Sequence, residues 1–132
     1  MGRHLVDLTE AECWERLETR DLARIAWNTS AGPEILPVNY VTHDGALWMR
    51  TTAHSSIAEQ TDESPVAVEI DDLDPGTHVG WSVVLRGRAE AFYHDEDVPA
   101  EVKELRSWAA GVRPLWLQVK ADVITGKSLS ED

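Results

Sequence analysis

One cysteine, Cys13, stands in 132 residues, which excludes an intramolecular disulfide and any multi-thiolate metal site and fits a reducing compartment. No apolar run approaches the roughly 20 residues needed to cross a bilayer. The amino terminus, Met1-Gly2-Arg3-His4-Leu5-Val6-Asp7, is too polar for a secretory signal. A soluble, cytoplasmic protein with no membrane partner is expected. Basic residues are also scarce, 12 Lys and Arg against 24 Asp and Glu, for a formal net charge of −12. They are scattered, so no basic groove offsets the repulsion of nucleic acid, and a nucleic-acid partner is not expected. The acidic residues gather in Asp71-Asp72-Leu73-Asp74, His94-Asp95-Glu96-Asp97 and Glu131-Asp132, which read as solvated loops.

Most motifs of catalysis are missing too. His4, His43, His54, His78 and His94 never form a His-x-x-x-His or Glu-x-x-His pair, so no metal site is expected. There is no Gly-x-Ser-x-Gly elbow, no Walker loop and no Gly-x-Gly-x-x-Gly after a strand. Nor are there repeats, low-complexity segments or linkers. With 42% hydrophobic residues, the whole of 1–132 is expected to form one domain around one core.

What is present reads mainly as strands. Thr9-Glu10-Ala11-Glu12 has the form of a capping box, with Cys13, Trp14 and Leu17 following at helical spacing, so a first helix is predicted over about residues 9–19. Strands are predicted over Leu22 to Thr29, Glu34 to Thr42 and Ala46 to Thr51, the last two joined by the tight-turn signal Asp44-Gly45. Two helical turns packed by Ile57 and Ala58 follow over His54 to Thr61, with Ser55 as a candidate N-cap. Val66, Val68 and Ile70 then alternate with Ala67, Glu69 and Asp71, the pattern of a strand with one buried face. Val79 to Tyr93 is a long strand in which Gly87 marks a bulge or bend. A helix from Pro99 to Gly111, a final strand over Leu115 to Lys120 and a frayed polar tail complete the chain. Several antiparallel hairpins and one bent strand favour a six-stranded antiparallel β-barrel with about three short helices, because closure removes exposed sheet edges.

One segment collects what a phosphate needs. Arg50-Thr51 ends a strand and Thr52-Ala53-His54-Ser55-Ser56 leads into a helix. A guanidinium, hydroxyls and unpaired backbone N–H groups can together bind phosphate oxygens. The same spacing also describes a plain Ser-capped helix beside a surface arginine, so the residues alone leave both readings open.

Four motifs jointly tip that balance: Pro37-Val38-Asn39-Tyr40, Arg50-Thr51 with its Ser-containing helix start, Val66 to Asp71, and Gly80-Trp81-Ser82-Val83-Val84-Leu85-Arg86-Gly87. On them the chain resembles, over nearly its whole length, the pyridoxamine 5′-phosphate oxidase-like family of FMN-binding split barrels, in its short bacterial form. The resemblance implies a homodimer with two FMN sites in the clefts between subunits. It implies that Pro37, Val38, Asn39 and Tyr40 lie along the isoalloxazine ring, and that Arg50, Thr51, Thr52, His54, Ser55 and Ser56 hold the phosphate end. Trp81 would wall the pocket and Ser82 tune the ring, while Trp108 and Arg113 match the region that reaches the partner subunit's flavin. Many members carry Lys where this chain has Ser56, and the missing charge-assisted contact is worth about 1.5–3 kcal/mol. Arg50 and His54 are the candidates to compensate.

The implied function is a flavin-dependent oxidoreductase that passes hydride or electrons between small-molecule donors and acceptors, with no catalytic side chain of its own. Some members use a deazaflavin or bind haem; the deazaflavin's acidic tail suits a net charge of −12 poorly. No second set of basic residues stands ready for the phosphate of a pyridoxamine substrate. Two alternatives follow from Ser56 and from the fold: a non-catalytic module that stores or senses a cofactor, and a dimeric scaffold with an empty cleft. Of the six tryptophans, Trp14, Trp27 and Trp48 are expected in the core, while Trp81 and Trp108 are open to core packing or, as the resemblance implies, to a place beside the cleft.

Overall fold

The computed structural model describes residues 3–51, 56–105 and 115–131. Strand β1 (Arg3–Leu8) leads into helix α1 (Glu10–Leu17). Its capping box is formed, with Thr9 Oγ1 accepting from the Glu12 amide at 3.1 Å and the Thr9 amide donating to Glu12 Oε1 at 2.8 Å. Strands β2 (Leu22–Thr29), β3 (Gly32–His43) and β4 (Ala46–Thr51) follow. The β3–β4 turn places Asp44 and Gly45 at φ 54° and 74°, the left-handed pair that an Asp-Gly hairpin requires. Helix α2 (Ser56–Thr61) precedes β5 (Pro65–Asp74) and β6 (Val79–Phe92), and β7 (Leu115–Glu131) ends the described chain.

All strand pairings are antiparallel and run β7-β4-β3-β2-β5-β6, with β6 returning to β7. Six strands therefore close into a ring, and β1 lies outside it against the far half of β7. The wall bends at Gly87: the register shifts there so that Asp122 has no partner opposite. A Cβ on Gly87 would sit 1.8 Å from the Lys120 carbonyl oxygen, so the close approach of the two backbones needs glycine.

The period-2 pattern decides which side chains fill the ring. Ile25, Leu47, Val68, Ile70, Val83, Leu85 and Val119 point inward and are wholly buried, with Cys13 and Leu17 of α1 closing one end. Burying each large aliphatic side chain is worth about 1.5–3 kcal/mol. A second, smaller core lies outside the ring. There Trp48 and Trp116, on the outer faces of β4 and β7, are covered by Val98 and Val102 of the segment after β6.

Three expectations need correction. The residues after Lys120 form no frayed tail: β7 continues to Glu131, paired with β6 and β1. No strand was predicted over Arg3–Leu8, because β1 leaves Leu5 and Val6 exposed and shows no buried face to alternate against. The helix predicted from Pro99 is a 3₁₀ turn, Ala100–Val102, with another at Asp95–Asp97; its continuation past Leu105 lies outside the described residues.

Candidate functional site at the split between β3 and β4

Strand β3 pairs with β2 along Leu22–Asn39 to Thr29–Gly32 but meets β4 only from Tyr40–Met49 to His43–Ala46. The two strands part after Tyr40 and Met49. On one side of the split, Gly32 to Val38 has no strand partner on its second edge among the described residues. On the other side, Arg50 and Thr51 end β4 while still paired to Trp116 and Leu115 of β7. An unpaired strand edge offers backbone donors and acceptors at regular spacing.

Both lips of the split are braced. The Tyr40 amide and Asn39 Nδ2 each donate to the Asp21 carbonyl at 3.1 Å, and the Tyr40 hydroxyl donates to the Leu17 carbonyl at 2.5 Å. Burial, reinforced by the nearby Asp21 charge, pushes the Tyr40 phenol well above its ordinary range, so it stays a neutral donor. Helix α2 is fixed by the buried Ile57 and Ala58 and by Trp27 Nε1, which donates to Gln60 Oε1 at 2.8 Å. Between α2 and the first half of β3 lies a cavity of about 390 Å³, lined by Trp27, Ile35, Leu36, Ile57 and Gln60 among others. Ile35 and Leu36 are 64% and 41% exposed.

At the end of β4, the Arg50 guanidinium carbon lies over the Trp116 ring, 4.7 Å from its centroid, within the range of a cation–π contact. Trp116 is 1% exposed, and neither its indole Nε1 nor that of Trp48 has a hydrogen-bond partner. A partly apolar slot, an unpaired backbone edge and a cationic strand end fit a flat heteroaromatic ring carrying a phosphate tail. The observations thus suit a phosphate-bearing flavin.

A larger cavity, about 530 Å³, is lined by Leu17, Tyr40, Val41, Thr42 and Leu105 together with several charged residues. Among its described lining residues, Glu18, Asp21, Glu101 and Glu104 stand against one cation, Arg20. That cavity is unsuited to a phosphate.

The structure brings Pro37, Val38, Asn39 and Tyr40 to one lip and Arg50 and Thr51 to the other. Trp81 and Ser82 stand elsewhere. They belong to β6, which lies across the ring from β3; Trp81 is buried in the main core and Ser82 is half-buried. Thr52, His54, Ser55, Trp108 and Arg113 lie outside the described residues, as does the side chain of Ser56, whose backbone begins α2. Among the described residues no group of three or more His, Cys, Asp or Glu is arranged to hold a metal. No described helix is long and apolar enough to cross a membrane. The reading of the sequence gave Trp116, Trp27, Gln60 and Ile57 no part in the site. Nothing local in the sequence marks Trp116, because its place beside Arg50 is set by strand register alone.

The family model described as pyridoxamine 5′-phosphate oxidase matches residues 9–128. An uncharacterized protein of Mycobacterium tuberculosis is 32% identical over 136 residues, covering 99% of this chain and 90% of that one. An FAD-binding protein of Mycobacterium smegmatis superposes with a TM-score of 0.74 at 26% identity, covering 95% of this chain and 98% of its own. An FAD-binding protein of Mesorhizobium loti, at 19% identity, shares the fold with a TM-score of 0.80 over 98% of this chain and 100% of its own.

Proposed function

The chain belongs to the pyridoxamine 5′-phosphate oxidase family, and from that premise we propose that it is a homodimeric FMN-binding oxidoreductase acting on small molecules. The observation that carries this reading is the split itself, which leaves one edge of β3 without a strand partner among the described residues beside a partly apolar slot and ends the other strand, β4, on the cationic Arg50. A bound flavin supplies the hydride or electron transfer. The backbone of β3 from Pro37 to Tyr40 fixes the plane and edge of the ring. Ile35, Leu36 and Ile57 keep water from its apolar portion. Arg50 and Thr51 hold the phosphate end, with Thr52, His54, Ser55 and Ser56 completing the cradle as the family pattern implies. No side chain acts as a nucleophile.

The ring order supports a dimer. Since β6 lies opposite β3, a Trp81-Ser82 strand that borders the flavin comes from a second copy, as the family pattern implies for Trp108 and Arg113. The exposed Ile35 and Leu36 supply apolar surface for such a contact. The acidic cavity beside Tyr40 argues against a second, substrate-borne phosphate, so the substrate is a neutral or cationic small molecule rather than a vitamin phosphate.

The protein as purified should show flavin absorbance, or take up FMN with quenched fluorescence, and run as a dimer in solution. No binding at tens of micromolar FMN would sink this reading. The related proteins named for FAD make FAD the first competitor, and parallel titrations decide between the two. A second reading, a cofactor-storing or sensing module, is favoured by Ser56 in place of the frequent Lys. It predicts tight binding with no reduction of the bound flavin by nicotinamide donors.

A further inference from the structure

We propose that Trp116 is a positioning residue for the cofactor phosphate, acting through Arg50. The inference rests on the phosphate grip proposed above. A strand-end arginine has several side-chain torsions to freeze before it can bind an oxyanion, and that entropy is charged against every contact it makes. Here the guanidinium carbon already lies over the Trp116 ring, 4.7 Å from its centroid. The ring beneath it is fixed: Trp116 is 1% exposed, paired to Arg50 on β4 and to Phe92 on β6 in one row across the sheet, and packed with Trp48, Val98 and Val102. A ring contact engages a guanidinium through its face, whereas a phosphate is recognised by the N–H donors in its plane, so the two contacts are compatible on one arginine. The segment after β6, which carries Val98 and Val102, thereby supports the site without touching it.

The unpartnered indole N–H makes the test clean, since Trp116→Phe keeps an aromatic face and sacrifices no hydrogen bond. The measurement is the ratio of riboflavin to FMN dissociation constants, which isolates the phosphate contribution within each variant. Trp116→Leu is expected to lower that ratio by about three- to tenfold, and Trp116→Met, of similar volume but unbranched and able to repack differently, to do the same. Trp116→Phe should stay within about twofold of the wild type. Trp48→Leu is the control: it sits in the same small core, against Phe92 at 5.1 Å between ring centroids, and should lose stability while keeping the ratio. In an Arg50→Ala background, changing Trp116 should have no further effect.

The inference is overturned if the Leu and Met variants keep the wild-type ratio, or if Trp48→Leu lowers it equally. A wild-type ratio of one removes the phosphate grip and the inference together. A high wild-type ratio that survives loss of the Trp116 ring leaves the proposed function standing and removes only the role of Trp116.

Discussion

The barrel has two unlike halves. Along β5, β6 and β7 the ladders are long, with ten residue pairs between β5 and β6 and thirteen between β6 and β7, the side chains alternate between core and outer face, and the one irregularity is the bulge opposite Gly87. Along β3 and β4 the pairing stops after four residue pairs, and apolar side chains such as Ile35 stand in the open. Both halves are built from β-branched and aromatic residues. The difference is that the first spends its backbone hydrogen bonds on the fold and the second leaves them for something else. Stability and binding are thus carried by separate sides of one sheet, and substitutions can tell them apart.

The sharpest break is Leu85→Ala in the continuous wall. Leu85 is wholly buried, so urea unfolding should show a loss of about 2–5 kcal/mol, while FMN affinity measured on the folded protein stays close to wild type. Next is Arg50→Ala at the split, which reverses the pattern. FMN should bind about 10- to 100-fold more weakly, the loss of one charge-assisted contact, with riboflavin affinity and urea midpoint little moved; equal losses for both ligands would place the phosphate elsewhere. Ser56→Lys restores the residue frequent in the family at the first position of α2, and should tighten FMN about tenfold in the same titration.

Smaller effects belong to the wall and its cap. Thr9→Ala removes the side-chain half of the α1 capping box, the bond that Thr9 Oγ1 accepts from the Glu12 amide, and should cost about 1 kcal/mol in thermal or urea unfolding, without affecting the phosphate preference. The smallest concerns Glu69, on β5, with Arg24 Nη1 at 3.4 Å from it and 3.7 Å from Asp71. Burial, then the hydrogen bond and negative charge of Asp71, push the Glu69 carboxyl up to about 7, against the pull of Arg24. Between the ordinary value of 4.5 and about 7 the folded state therefore holds more protons than the unfolded chain, and this group's contribution to stability falls as pH rises. Glu69→Gln should gain on the wild type between pH 5 and 8. Because the side chain is a third exposed, the gain should stay below about 1 kcal/mol; a variant that loses ground with rising pH would show that the Arg24 pair dominates instead.

Much of the wall was legible because its signals are local. The alternation of Val66, Val68 and Ile70, the Asp44-Gly45 turn, the Thr9 capping box and Gly87 as the place of a bend all correspond to described features. The barrel of six strands follows from their order. Less was legible at the ends. The pairing of β1 with the tail spans almost the full chain, and neither segment buries enough on one face to leave a pattern. Of the site, the lips Pro37–Tyr40 and Arg50–Thr51 could be picked out as segments, but not the way the sheet opens between them.

The sequence by itself determined the strands, the turns and the inward faces of the ring, since each depends on residues within a few positions of one another. It also set the net charge of −12. Only the tertiary structure decided that β3 and β4 part after Tyr40 and Met49, that β6 stands across the ring from β3, and that Trp116 lies beneath Arg50. Those facts depend on register between segments some 66 residues apart in the case of Arg50 and Trp116, and register is fixed by the packing of the whole sheet rather than by any stretch of it.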